Sequence, residues 1–389
     1  MSEKTNNSKS AYSRYINASL RSDLKQKMVF LGGPRQVGKT TLALGLLGIG
    51  ANETHSAYLN WDDLEDRHRL LNHQLPSHES LLVLDEIHKY QKWRNLVKGL
   101  YDKNKSRLSI LVTGSARLDF YRKGGDSLAG RYHFIRLHPF SLREFDPTVD
   151  PKGLPLLLKF GGFPEPLFRA DETHHRRWLR EHTDRILRED LRDLEQVREI
   201  SLVEALVAHL PVCVGSPLSV GNLRNLLQVS HESVERWISI LERLFVCFRI
   251  PPYGASRIRA VRKEQKLYFW DWSHITEDGP RFENLVASQL LKYCHWIEDT
   301  EGYRMELRFL RDTDRREVDF VVLRDNKPEF AVECKTGERS VSASAIYFQE
   351  RTPIPVFYQV HLGEKDFIHS TTGIRVLPFA TFCKELRMP

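Results

Sequence analysis

Ten consecutive residues, Gly32-Gly33-Pro34-Arg35-Gln36-Val37-Gly38-Lys39-Thr40-Thr41, constrain this chain more tightly than any other stretch. They separate one apolar run, Met28 to Leu31, from a second that begins at Thr41 and ends at Leu47. A strand that turns into a helix through a glycine-rich loop aims successive backbone N–H groups inward, and the helix adds its positive end at the same point. Gly33 and Gly38 permit the curl, Lys39 neutralises β- and γ-phosphate oxygens, and the Thr40 hydroxyl can ligate Mg²⁺. Gly33 to Thr41 therefore read as the binding loop for ATP and Mg²⁺, within an α/β fold built on a parallel sheet.

Cradling phosphates leaves two tasks open, completing the metal shell and orienting the attacking water. The segment LLVLDEIHKY, residues 81 to 90, meets both. Four apolar residues form a buried parallel-type strand, and Asp85 emerges at its carboxyl end, where an open α/β sheet places ligands. Asp85 is expected to face the nucleotide's Mg²⁺ and Glu86 to act as the base, so hydrolysis is expected. A further strand in LSILVTGSAR, residues 108 to 117, ends in Thr113 and Ser115, either of which can reach the γ-phosphate or the water.

A chain of 389 residues exceeds one hydrophobic core, and two to four domains are expected. The apolar runs are shorter than a bilayer span and MSEKTNNSKS has no signal-peptide core, which predicts a cytoplasmic protein with no membrane partner. Five scattered cysteines with no Cys-x-x-Cys predict reduced thiols and no structural zinc. A formal net charge of +7 favours a polyanionic partner, with DNA the leading candidate.

Residues 1–150 are read as the ATPase core and 151–200 as a helical lid or connector. In the latter, Trp178, Leu179, Ile186, Leu187, Leu191 and Leu194 recur at helical spacing, and His174, His175 and His182 are assigned to a solvated face. Residues 201–272 show three helices, with Ser219 and Ser230 at N-cap positions and a short turn between the last two, followed by two strands: a winged helix. Glu232 and Glu235 on its last helix speak against reading bases in a groove. The wing instead offers Arg257, Arg259, Arg262, Lys263 and Lys266 to a phosphate backbone, with Arg249 beside them.

Residues 273–389 carry a second constellation. The strands VDFVVL and EFAVEC are joined by a polar turn at Asp325 to Lys327. Alternation along a strand brings Glu333 and Lys335 to one side, with Asp319 available from the neighbouring strand and Glu283 from an upstream helix. Two carboxylates and a lysine converging on one point make a Mg²⁺ site, with Mn²⁺ as an alternative, suited to a scissile phosphate.

An acid, then thirteen residues, then Glu-Cys-Lys resembles the PD-(D/E)xK nuclease superfamily, and with Glu283 it looks most like archaeal Holliday-junction resolvases. Val318 stands where that pattern has proline. From GPRQVGKTTLA through LLVLDEIHKY, VTGSARL, GRYHFIRLHPFSLREF and GGFPEPLF to EVDFVV and VECK, the chain is similar to a prokaryotic family of AAA-type ATPases with a nuclease-like C-terminal domain. The resemblance implies a P-loop AAA-type parallel sheet, then a winged helix, then a restriction-endonuclease-like α/β domain. It implies a sensor role for Thr113 or Ser115, and it makes Arg131 a finger that completes a neighbouring copy's site in a homo-oligomeric ring or dimer. Asp319, Glu333 and Lys335 become the nuclease-like centre, with Glu283 as a further ligand. Two readings follow: an ATP-driven enzyme that remodels and cleaves branched DNA, or an ATP-gated regulator that binds DNA or protein without cleavage.

Overall fold

The computed structural model describes residues 13–114, 128–148, 152–191, 199–254 and 265–389. Ser115, Arg257, Arg259, Arg262 and Lys263 lie outside the described residues. The chain divides into two compact units, one of Met1–Gly32, Gly38–Gly114 and Tyr121–Leu137, the other of Gly33–Val37, Ser115–Phe120 and His138–Pro389.

In the first unit, α1 (Asn17–Asp23) leads into β1 (Met28–Gly32), then α2 (Lys39–Leu47), β2 (Tyr58–Asn60), α3 (Leu64–Leu71), β3 (Leu81–Asp85), α4 (Trp93–Asn104), β4 (Ser109–Thr113) and β5 (Tyr132–Arg136). Its described strands pair in parallel in the order β2-β3-β4-β1-β5. Parallel strands are covered on both faces, so their sequences are unbroken apolar runs, and Met28 to Leu31, Leu82 to Leu84 and Ile110 to Val112 are all buried. Parallel register also brings the carboxyl ends together, with Leu31 and Asp85 both opposite Thr113. Gly32 is required at the end of β1, because a Cβ there would lie 2.6 Å from the Phe134 ring.

The second unit contains α5 (Leu142–Phe145), α6 (Gly153–Phe160), α7 (Pro164–Arg169), α8 (Glu172–Arg185), α9 (Ile200–His209), α10 (Val220–Leu227), α11 (His231–Arg243), β6 (Cys247–Ile250), β7 (Lys266–Phe269) and α12 (Asp278–Glu301). It continues with β8 (Met305–Arg311), β9 (Glu317–Arg324), β10 (Lys327–Lys335), α13 (Ala343–Arg351), β11 (Phe357–His361), β12 (Phe367–Ile368), β13 (Arg375–Pro378) and α14 (Phe379–Glu385). One continuous core runs from Phe140 to Met388, so the connector, three-helix and C-terminal segments share their packing.

Local signals hold well here. The Ser219 and Ser230 hydroxyls accept from the N–H groups of Asn222 and Ser233, starting α10 and α11, and Gln228, at φ 55°, ends α10. β6 and β7 form an antiparallel two-stranded ladder. Asp325 and Asn326, at φ 48° and 67°, make the tight turn between β9 and β10. The larger sheet runs β12-β13-β11-β10-β9-β8, antiparallel from β8 to β10 and parallel from β10 through β11 to β13. Among the described residues no helix is long and apolar enough to cross a membrane.

Two expectations for the connector change. The long helix is regular only to Arg185 and widens into π turns over Ile186–Asp190. His175 and His182 are buried rather than solvated, since helical spacing puts them on the same face as Trp178. The His182 ring stacks on Trp178 at 4.6 Å, and His175 Nε2 lies 3.0 Å from Ser273 Oγ.

Deep in this unit, Lys292 is fully buried and donates to the Glu144 carboxylate and, at 3.0 Å, to the Pro139 carbonyl. Glu144 also closes the capping box of α5 with Ser141. Lys292→Met strands a buried carboxylate and is expected to remove about 3–5 kcal/mol of unfolding free energy. Denaturant titration of Lys292→Met against the Glu144→Gln/Lys292→Met pair checks this, the pair recovering most of the loss.

Candidate ATP site and acid centre

The carboxyl edge of the first sheet assembles a hydroxyl-lined carboxylate. Asp85 is 5% exposed, and its Oδ2 accepts from Thr40 Oγ1 at 2.9 Å and from the Tyr58 hydroxyl at 2.7 Å. Its Oδ1 accepts from Thr113 Oγ1 at 2.6 Å. Burial and the neighbouring Asp85 hold the Tyr58 phenol above the ordinary tyrosine range, so it stays a donor. Lys39 opens α2 directly after Gly38, whose φ of 99° suits glycine. Thr40 and Asp85 bring hard oxygen donors together, a set that fits Mg²⁺ carried in on a nucleotide.

Glu86 follows at φ 54°, a left-handed conformation that a side-chain-bearing residue keeps only when its surroundings dictate it. Its N–H donates to the Thr113 carbonyl at 3.1 Å, and its carboxylate lies 3.6 Å from both His88 Nε2 and Lys89 Nζ. Arg131 belongs to the opposite edge, where the strands begin: its carbonyl accepts from the Met28 N–H, and its guanidinium pairs with Asp102 at 3.0 Å. It is a strand's length from the end of β1. Within the second unit, the loop-tip residues Arg35 and Gln36 meet α8 and its extension, through Glu189 at 2.8 Å and His182 at 2.7 Å.

The predicted C-terminal residues also converge, around a cation. Lys266 opens β7, and its side chain is fully buried. Its Nζ lies 2.6 Å from Glu317 Oε1, 3.0 Å from Glu283 Oε1 and 3.4 Å from Asp319 Oδ1. The assignment of Lys266 to a DNA-contacting wing is therefore corrected: an ammonium sealed among three carboxylates cannot meet a phosphate backbone. Arg249 is likewise engaged, with Glu235 at 2.7 Å and Glu242 at 2.9 Å. Burial alone would discharge Lys266, but Glu283, Asp319 and Glu317 outweigh that and hold its pKa above the usual lysine value.

Around this ion, Tyr268 donates to Glu283 at 2.7 Å, the Cys334 N–H donates to Asp319 Oδ2 at 2.8 Å, and Arg311 pairs with Glu317 at 2.6 Å. Glu333 is 6% exposed and pairs through Oε1 with Lys335 at 2.5 Å. Asn284 sets the geometry by standing in for a strand: its side chain accepts from the Phe269 N–H and donates to the Phe269 carbonyl, each at 2.7 Å, which docks α12 beside β7 and brings Glu283 to Lys266. The expected Glu283–Asp319–Glu333 metal set does not fit an open divalent site, because an ammonium fills the space. Among the described residues no group of three His, Cys, Asp or Glu side chains is arranged to hold a metal ion.

Burial, then the charge of Asp319, pushes the Glu333 carboxyl up to about 8, against the opposing pull of Lys335. A raised carboxyl pKa contributes stability that is complete below the unfolded value and is lost as pH rises through the folded one. Glu333 should thus lower stability by up to about 1.4 kcal/mol per pH unit between its ordinary range and about 8. Thermal melts of Glu333→Gln are expected to show a midpoint above wild type near pH 9 and equal to it near pH 4.

Residues 25–146 match a family model described as an AAA domain. Residues 152–275 match "Domain of unknown function (DUF8612)" and residues 278–382 match "Domain of unknown function (DUF4143)". The chain is 23% identical over 326 residues to an uncharacterized protein of Haemophilus influenzae, covering 75% of this chain and 78% of that protein. It is 24% identical over 338 residues to an uncharacterized protein of Methanocaldococcus jannaschii, covering 78% and 74%. Among solved structures, the Aeropyrum pernix ORC1 protein in complex with DNA overlaps at TM-score 0.33 and 17% identity, covering 72% of this chain and 94% of that one. The Thermotoga maritima RuvB Holliday junction branch migration motor overlaps at TM-score 0.31 and 17% identity, covering 61% and 89%. With a phosphate-binding loop, a Thr40–Asp85–Thr113 network and this family match in one segment, residues 25–146 are an AAA-type P-loop ATPase domain.

Proposed function

We propose that the chain is an ATP-hydrolysing switch that engages DNA, with the nucleotide state of the ATPase domain governing how the second unit holds its partner. The observation that carries the ATPase half is the Asp85 carboxylate bound by Thr40 and Thr113, with Glu86 as the next residue. Lys39 and the loop amides hold phosphates, Thr40 and Asp85 orient the Mg²⁺ that neutralises developing charge, and Glu86 takes a proton from the attacking water. Support for DNA comes from the net charge of +7 and from Arg257, Arg259, Arg262 and Lys263 in one ten-residue stretch of sequence. Arg131, a strand's length from the end of β1, suits a role in a neighbouring copy's site, which makes the working form a homo-oligomer.

A second reading, cleavage of branched DNA by the C-terminal domain with Mg²⁺ or Mn²⁺, is favoured by Asp319, Glu333 and Lys335 lying together on β9 and β10. The filled cation position favours the non-cleaving form.

Purified chain incubated with labelled linear, forked and four-way DNA, with Mg²⁺ or Mn²⁺ and with or without ATP, separates these. The expected result is nucleotide-dependent binding, weakened by salt, and intact DNA. Cleavage lost in Asp319→Ala but kept in Lys39→Ala would establish the second reading, and absence of nucleic-acid binding in every condition would sink both. For the ATPase, Lys39→Ala should abolish nucleotide binding, while Glu86→Gln should still bind ATP and hydrolyse it roughly 10²–10⁴-fold more slowly. Mixing Arg131→Ala with Glu86→Gln subunits should restore part of the activity that neither has alone.

A further inference from the structure

A PD-(D/E)xK-like centre calls for a divalent ion among its acids, and in this chain that space is taken by a side chain. We propose that Lys266 is a tethered cation standing in the metal's place, so that the acid centre is permanently closed to Mg²⁺ and Mn²⁺. The inference rests on the non-cleaving form of the function above and gives it a cause.

The stoichiometry matches an ammonium. Lys266 Nζ has three N–H donors and three carboxylates about it, Glu317 at 2.6 Å, Glu283 at 3.0 Å and Asp319 at 3.4 Å. Two of the remaining oxygens are committed, Asp319 Oδ2 to the Cys334 N–H and Glu317 Oε2 to Arg311, while Tyr268 shares Glu283 Oε1 with the ammonium. Mg²⁺ demands near-octahedral oxygens at about 2.0–2.1 Å, and Mn²⁺ is likewise an oxygen-seeking ion; neither shell can form around a nitrogen already in hydrogen-bond contact with each acid.

The lysine is also fixed from the backbone. It pairs with Ile250 across the β6–β7 ladder, forms a bridge with Pro217 on its other side, and carries its ammonium 5.7 Å from the Phe309 ring. Charge closes the argument. Lys266, Arg311 and Lys335 already stand against Glu283, Glu317, Asp319 and Glu333, so the acids meet cations of the chain itself before any divalent ion arrives.

The prediction concerns what happens when the ammonium is removed. Nucleotide-free full-length protein is titrated with Mn²⁺ while free Mn²⁺ is followed by electron paramagnetic resonance, and thermal midpoints are recorded in parallel. Wild type and Lys266→Arg are expected to take up no Mn²⁺ at the acid centre. Lys266→Met, which leaves the three carboxylates uncompensated, is expected to bind about one Mn²⁺ per chain and to regain a few degrees of the thermal midpoint it loses. Adding Asp319→Asn to Lys266→Met should abolish that uptake. Mn²⁺ bound by wild type and released by Asp319→Asn would overturn the proposal, as would a folded Lys266→Met that binds none. Should Lys266→Met fail to fold, wild type against Asp319→Asn still decides. Neither ATP nor DNA is present, so failure here is distinct from failure of the ATP-gated binding function.

Discussion

A charge withdrawn from water has to be met by the chain itself, and this requirement organises both halves of the molecule. In the ATPase domain Asp85 is buried and is met by three hydroxyl groups, from Thr40, Tyr58 and Thr113. Hydroxyls satisfy a carboxylate without neutralising it, which leaves its field free to act on an arriving metal–nucleotide complex. In the second unit the answer is different. Lys292 is met by Glu144, and Lys266 by Glu283, Glu317 and Asp319, which are full counter-charges. The same physical demand thus yields a receptive site in one unit and a closed one in the other.

Sheet direction decides where each site can form. Parallel strands collect their carboxyl ends, so Thr40 in the helix that follows β1, an acid at the end of β3 and a threonine at the end of β4 meet although they are far apart in sequence. In the second unit an antiparallel hairpin brings Asp319 and Glu333 together with Val332 opposite Phe320, while Glu283 and Lys266 arrive from α12 and β7. The first arrangement lies at a sheet edge, and the second is gathered around a buried ammonium.

Legibility in sequence followed the range of the interaction. The strand–loop–helix of β1 and α2, the caps Ser219 and Ser230 and the turn at Asp325–Asn326 are readable because each depends on residues a few positions apart. Lys266 reads as part of a basic wing because its sequence neighbours form a basic stretch, whereas its partners lie 17, 51 and 53 positions away. Glu317 was overlooked although a signal existed: it stands two residues before Asp319 on the same strand and so shares its face. Tyr58 had no such signal, since a three-residue strand shows no period. Residue type alone points His175 and His182 to the surface, whereas their spacing from Trp178 puts them on the buried face.

Asn284 imitates a strand, and that imitation reaches beyond positioning Glu283. By taking both the N–H and the carbonyl of Phe269 it seals part of the β7 edge, the kind of open edge through which small β-ladders recruit strands from other chains. A single carboxamide thereby acts as a stopper against edge-to-edge aggregation. The carboxamide offers a donor and an acceptor on one planar group, and its short stem sets how closely the helix can approach. Tolerance at position 284 is therefore expected to be narrower than at the charged positions beside it, and loss there would register first as self-association.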